Sequence, residues 1–131
     1  MSGETPRVHA GWRWAAAGWI VLVGAIVFCA DRRLLGPIFD FVTSHPGLDK
    51  VGHFTLMGGL AFFVNLALGL RQWRDWLIGS LLVGIAVLAE EISQIWFPAR
   101  TFDLVDLAAD LAGIVFFGWL AKRVFCRRAQ V

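Results

Sequence analysis

The chain has 131 residues, of which 58% are hydrophobic, and a formal net charge of +2 at neutral pH. The length allows one domain, and a soluble domain of this size has no use for so much apolar material. An ordinary soluble fold is therefore excluded, while the small net charge decides little, because most cations cluster near the ends of apolar runs.

Residues 1–11 read as a short polar tail. Four apolar blocks follow, over about 14–30, 50–70, 76–97 and 103–125, each near the ~20 residues that a bilayer-spanning helix needs. The expected fold is all-α: a polytopic bundle of four transmembrane helices in a single domain over 1–131. The first block ends near Cys29, but Phe28 precedes it where a lipidation signal wants a small residue, so the block is read as a retained span. The connection "DRRLLGPIFDFVTSHPGLD" carries Gly36-Pro37 and Pro46-Gly47 as breakers, and its "IFDFV" centre is apolar enough to lie in the membrane interface. "RQWRD" and "PARTF" read as tight turns, with Pro98 ending the third span. Alternating spans put Cys29 and Cys126 near opposite faces, too far apart for a disulfide.

The cations set the orientation. Arg7, Arg13, Arg71, Arg74, Lys122, Arg123, Arg127 and Arg128 fall on one side, and Arg32, Arg33, Lys50 and Arg100 on the other. This bias predicts a bacterial cytoplasmic membrane protein with both termini in the cytoplasm. Trp12, Trp14, Trp73, Trp76 and Trp119 would mark the inner interface and Trp96 the outer one. Ala109-x-x-x-Gly113 and Ser80-x-x-x-Gly84 are small-residue spacings that suit close helix approach.

The segment "EEISQIWFPARTFDLVDLAAD" carries Glu90, Glu91, Asp103, Asp106 and Asp110 against Arg100. Asp103, Asp106 and Asp110 recur at i, i+3 and i+7, on one stripe of a helix that Gly113 and Phe117 continue. Gln94 lies one turn from Glu90 and Glu91, while Asp49, Lys50 and His53 open the second span. These three helix ends meet on the outer side. An ionised Asp at mid-span costs about 2.5–3.5 kcal/mol, so such groups should face inward, toward partners or water. Asp103 also has a plainer reading, as a helix N-cap. The candidate binding residues are Asp49, Lys50, His53, Glu91, Gln94, Arg100, Asp103, Asp106 and Asp110.

The pattern "DKVGHF", then Glu91-Ile92-Ser93-Gln94, then "PARTFDLVDLAADLAG", resembles the VanZ-like family of bacterial integral membrane proteins over residues 49–113, about half the chain. The chain departs from the family at Asp110, where Asn is usual, and carries Glu90 in addition. The resemblance implies a small envelope protein of a family linked to resistance to the glycopeptide teicoplanin.

Three functions compete. In the first, the outward site binds a lipid head group or a small amphipathic envelope compound, with Lys50 and Arg100 meeting anionic groups. In the second, a membrane enzyme acts on a lipid-linked substrate, with His53 and the carboxylates as acid and base, or with His53, Glu91, Asp106 and Asp110 holding a divalent cation. In the third, an ion-coupled transporter, the polar stripe must cross the membrane, yet past Asp110 it turns to Gly113 and Phe117. Catalysis, cofactor and oligomeric state stay open at this level. Membrane lipids are the expected partners and nucleic acid is not, because the basic tail "KRVFCRR" reads as a positive-inside anchor.

Overall fold

The computed structural model describes residues 9–96 and 103–128. It is built of helices: α1 (Ala10–Asp31), α2 (Gly36–Ser44), α3 (Leu48–Ala67), α4 (Ile78–Ser93) and α5 (Leu104–Arg128). A 3-10 turn, Gln94–Trp96, extends α4, and two short strands, β1 (Gln72–Trp73) and β2 (Trp76–Leu77), join α3 to α4. The all-α expectation holds. Three segments are long and apolar enough to cross a membrane: Ala10–Asp31, Ile78–Trp96 and Leu104–Cys126.

The breakers act where expected, but the connection between α1 and α3 is more ordered than a loop. Pro37 sits in the first turn of α2, where its missing N–H costs nothing. His45, before Pro46, is extended and ends that helix. Gly47 takes φ 85°, which turns the chain into α3. At the other end of α3, Gly69 and Leu70 both take positive φ, and the Leu70 N–H closes back on the Asn65 carbonyl at 2.9 Å. "RQWRD" is thus part of a small antiparallel ladder, with Gln72 opposite Leu77 and Trp73 opposite Trp76.

α3 is the central helix and touches α1, α2, α4 and α5. α1 runs antiparallel to it: Trp12 packs on Phe62 and Phe63, and Trp19 Nε1 donates to the Leu56 carbonyl at 2.9 Å. α5 runs parallel to α3 and lies against it along one stripe. Its Asp106, Asp110, Gly113 and Phe117 meet Lys50, His53, Phe54 and Gly58 in that order. Gly113 allows the approach, because a side chain there would strike the backbone carbonyl of Phe54. The expected small-residue crossing is therefore real at Gly113. At Gly84 it is not: that position faces open space, while Ser80 packs toward Gly118.

The core is Ala61, Val83, Val87 and Ile114, with Met57, Leu60, Val64 and Leu107 against it. Many large apolar side chains point outward, among them Trp14, Val21, Phe28, Ile85, Ile92, Val115 and Trp119. An exposed apolar surface on that scale suits lipid, not water. Near the helix ends, the Arg32, Arg74 and Arg123 guanidiniums lie over Phe28, Trp73 and Trp119, as cations do at a membrane interface.

Candidate functional site

The start of α3, the end of α4 and the start of α5 converge at one end of the molecule. α5 opens on Asp103, whose Oδ1 accepts the Val105 N–H at 2.8 Å, so the N-cap reading holds. Capping does not exhaust that carboxylate. Its Oδ2 accepts from Lys50 Nζ at 3.0 Å. The same ammonium pairs with Asp49 at 2.9 Å and, closely, with Asp106.

This ammonium donates to Asp103 and Asp106 and forms an ion pair with Asp49, so three carboxylates share its charge. The sequence reading turns Lys50 toward an anionic head group; in the structure its ammonium lies against Asp49, Asp103 and Asp106. Asp49 pairs with its sequence neighbour Lys50, whereas its i, i+4 spacing places it on one face with His53.

One turn deeper lies a second group. His53 Nδ1 is 3.1 Å from Asp110 Oδ1 and 3.2 Å from Oδ2. Its other ring nitrogen, Nε2, is 3.8 Å from Asp106 Oδ2. Glu91 enters from α4. Both Glu91 and Asp110 are only 1% exposed, which places two carboxylates inside the helix bundle. Gln94 Nε2 donates to Glu91 Oε1 at 3.2 Å and to Glu90 at 2.9 Å. Glu91 Oε2 has no hydrogen-bond partner among the described residues. Among those residues, one ligand atom from each of His53, Glu91 and Asp110 lies within 4.8 Å of the others.

Eight of the nine residues singled out by sequence thus come together in two contiguous layers. The outer layer is Asp49, Lys50, Asp103 and Asp106, and the inner layer is His53, Glu91, Gln94 and Asp110. Arg100, with the "PARTF" turn, lies outside the described residues.

Sequence reasoning missed a polar pair at the opposite end of the bundle. Asn65 is fully buried; its Nδ2 donates to Ser80 Oγ at 2.9 Å, and its Oδ1 accepts the Ser80 N–H at 3.1 Å. An α3 side chain thereby satisfies an N–H in the first turn of α4, which has no side-chain cap of its own. A single Asn inside an apolar run was the available signal. Trp19 was missed too, because its partner is a backbone carbonyl that no side-chain pattern announces.

In comparisons with family models, with curated proteins and with solved structures, none matches this chain.

Proposed function

We propose that the chain is a four-span protein of the bacterial cytoplasmic membrane, of the VanZ-like kind, whose outward polar site binds the head of a lipid or other amphipathic envelope compound. α3 is the fourth span. It has 20 residues, about 30 Å of helix, which matches the hydrocarbon thickness. It is less apolar than the others because it carries Lys50, His53 and Asn65, and these are the residues that find partners on α4 and α5. The positive-inside bias supports both termini in the cytoplasm, and then the two-layered site opens outward.

The observation that carries the binding reading is the pair of buried carboxylates, Glu91 and Asp110, with one Glu91 oxygen unpartnered among the described residues. Buried ionisable groups in a membrane bundle are costly unless they serve a guest or a partner. The membrane-enzyme reading has the same residues available, and the His53–Asp110 contact suits a base held by a carboxylate. Binding is the simpler reading, because the buried carboxylates account for a held guest without any reacting bond.

The test is calorimetric titration of short-chain phosphatidylglycerol and phosphatidylethanolamine into the detergent-solubilised protein. Saturable binding that weakens at least tenfold in Asp106→Asn is expected. Heats that are absent with both lipids, or unchanged in the variant, would count against the site.

A further inference from the structure

We infer that His53, Glu91 and Asp110 form a divalent-cation site, with one ligand from each of α3, α4 and α5, and that the cation receives an anionic head such as a phosphate ester. The second clause rests on the function proposed above; the metal site does not.

The spacing of the three side chains admits a shared ion. Two ligands of the same ion are at most twice the bond length apart, about 4.2–4.8 Å for bonds of ~2.1–2.4 Å. The three ligand atoms lie within 4.8 Å of one another.

The chemistry fits as well. Glu91 Oε2 is buried without a partner among the described residues, whether its carboxyl is charged or protonated, since a protonated oxygen needs an acceptor that is equally missing. A cation is the ligand that such an oxygen lacks. Lys50 cannot serve, because three other carboxylates engage it.

The surroundings also resemble those of a ligand set. A metal-bound imidazole commonly points its other ring nitrogen at a carboxylate, and a metal-bound carboxylate is commonly held by a hydrogen bond. With His53 Nδ1 turned toward Asp110, Nε2 faces Asp106 Oδ2 at 3.8 Å, close enough for its charge to steady the ring though not for a hydrogen bond. Gln94 holds Glu91 by Oε1 and leaves Oε2 for the ion. Asp106 and Gln94 are then positioning residues. One imidazole with two carboxylates favours Zn²⁺ or Mn²⁺ over Mg²⁺ and Ca²⁺. Three protein ligands leave positions open for a phosphate oxygen, and this explains how a site so rich in carboxylates takes an anionic head.

The test begins with the metal alone. The full chain carries His9→Ala, His45→Ala, Cys29→Ser and Cys126→Ser, to remove its other imidazoles and thiols. It is stripped with EDTA, desalted into metal-free detergent buffer, and titrated with Zn²⁺ and with Mn²⁺. One equivalent per chain should bind and raise the unfolding temperature. Glu91→Gln and Asp110→Asn should each weaken binding about a hundredfold, and Asp106→Asn about tenfold. Unfolding without metal shows that each variant is folded. If Glu91→Gln is not, Asp110→Asn carries the test, because its amide keeps an acceptor for His53. Uptake below one equivalent, or wild-type affinity in a folded ligand variant, overturns the metal site. Short-chain phosphatidylglycerol is then added with Zn²⁺ or with EDTA. Binding that is equal in both overturns the metal–phosphate contact alone, and absent lipid binding beside intact metal binding overturns the head-group reading alone.

Discussion

His53 on α3 and Asp110 on α5 stand 57 residues apart in sequence, and Nδ1 of the first lies 3.1 Å from Oδ1 of the second. The contact is fixed from both sides of the stripe. Above it, Lys50 gathers three carboxylates; below it, Gly113 lets α5 lie directly on the α3 backbone. The polar end and the tight crossing are therefore parts of one helix–helix seam.

Lys50→Met should lower stability by about 1–3 kcal/mol, because Asp49, Asp103 and Asp106 would crowd one another without their shared cation. Adding Asp106→Asn should restore part of the loss. Denaturant unfolding in micelles measures both, and an unchanged midpoint for Lys50→Met would show that solvent already screens the cluster.

Two glycine-to-alanine changes should behave oppositely. Gly113→Ala drives a methyl into the Phe54 carbonyl and should cost about 1–3 kcal/mol. Gly84→Ala meets open space and should be neutral, or stabilising by up to about 1 kcal/mol through helix propensity. Thermal unfolding of the two variants side by side checks the seam.

Much of this was legible in the sequence, for a physical reason. Asp103, Asp106 and Asp110 recur at helical spacing, and charges so placed in an apolar run must share a partnered face. The pairing itself was not legible. Nothing local to Lys50 says that it will bind Asp106, 56 residues on, rather than an anionic guest. Helix ends shifted for similar reasons: α3 stops at Ala67, short of residue 70, because Gly69 and Leu70 turn back onto Asn65. The helix at Gly36–Ser44 sits where breakers suggested an irregular connection, since Pro37 starts a helix as readily as it ends one. Asn65 escaped notice because a lone amide in an apolar run has no periodicity to read.

Asn65→Leu should cost about 1–3 kcal/mol, since it strands the Ser80 N–H and Oγ in the bundle. Adding Ser80→Ala should recover only the hydroxyl part. A double-mutant cycle on unfolding free energies separates the two terms, and strict additivity would mean that the pair is not coupled.

Orientation is open to chemical labelling. In a chain whose two native cysteines are changed to Ser, Thr43→Cys puts a thiol on the exposed face of α2, at the end of the bundle that carries the site. A membrane-impermeant maleimide should reach it in intact cells. Labelling only after lysis would place that end in the cytoplasm.

The central claim is that this two-layered site holds a guest, and native mass spectrometry of the gently purified protein tests it most directly. The account predicts a lipid-sized adduct, with or without a metal ion, that survives on the wild-type chain and is lost from Asp106→Asn and Asp110→Asn. A bare wild-type mass, or an adduct kept equally by all three proteins, would contradict it.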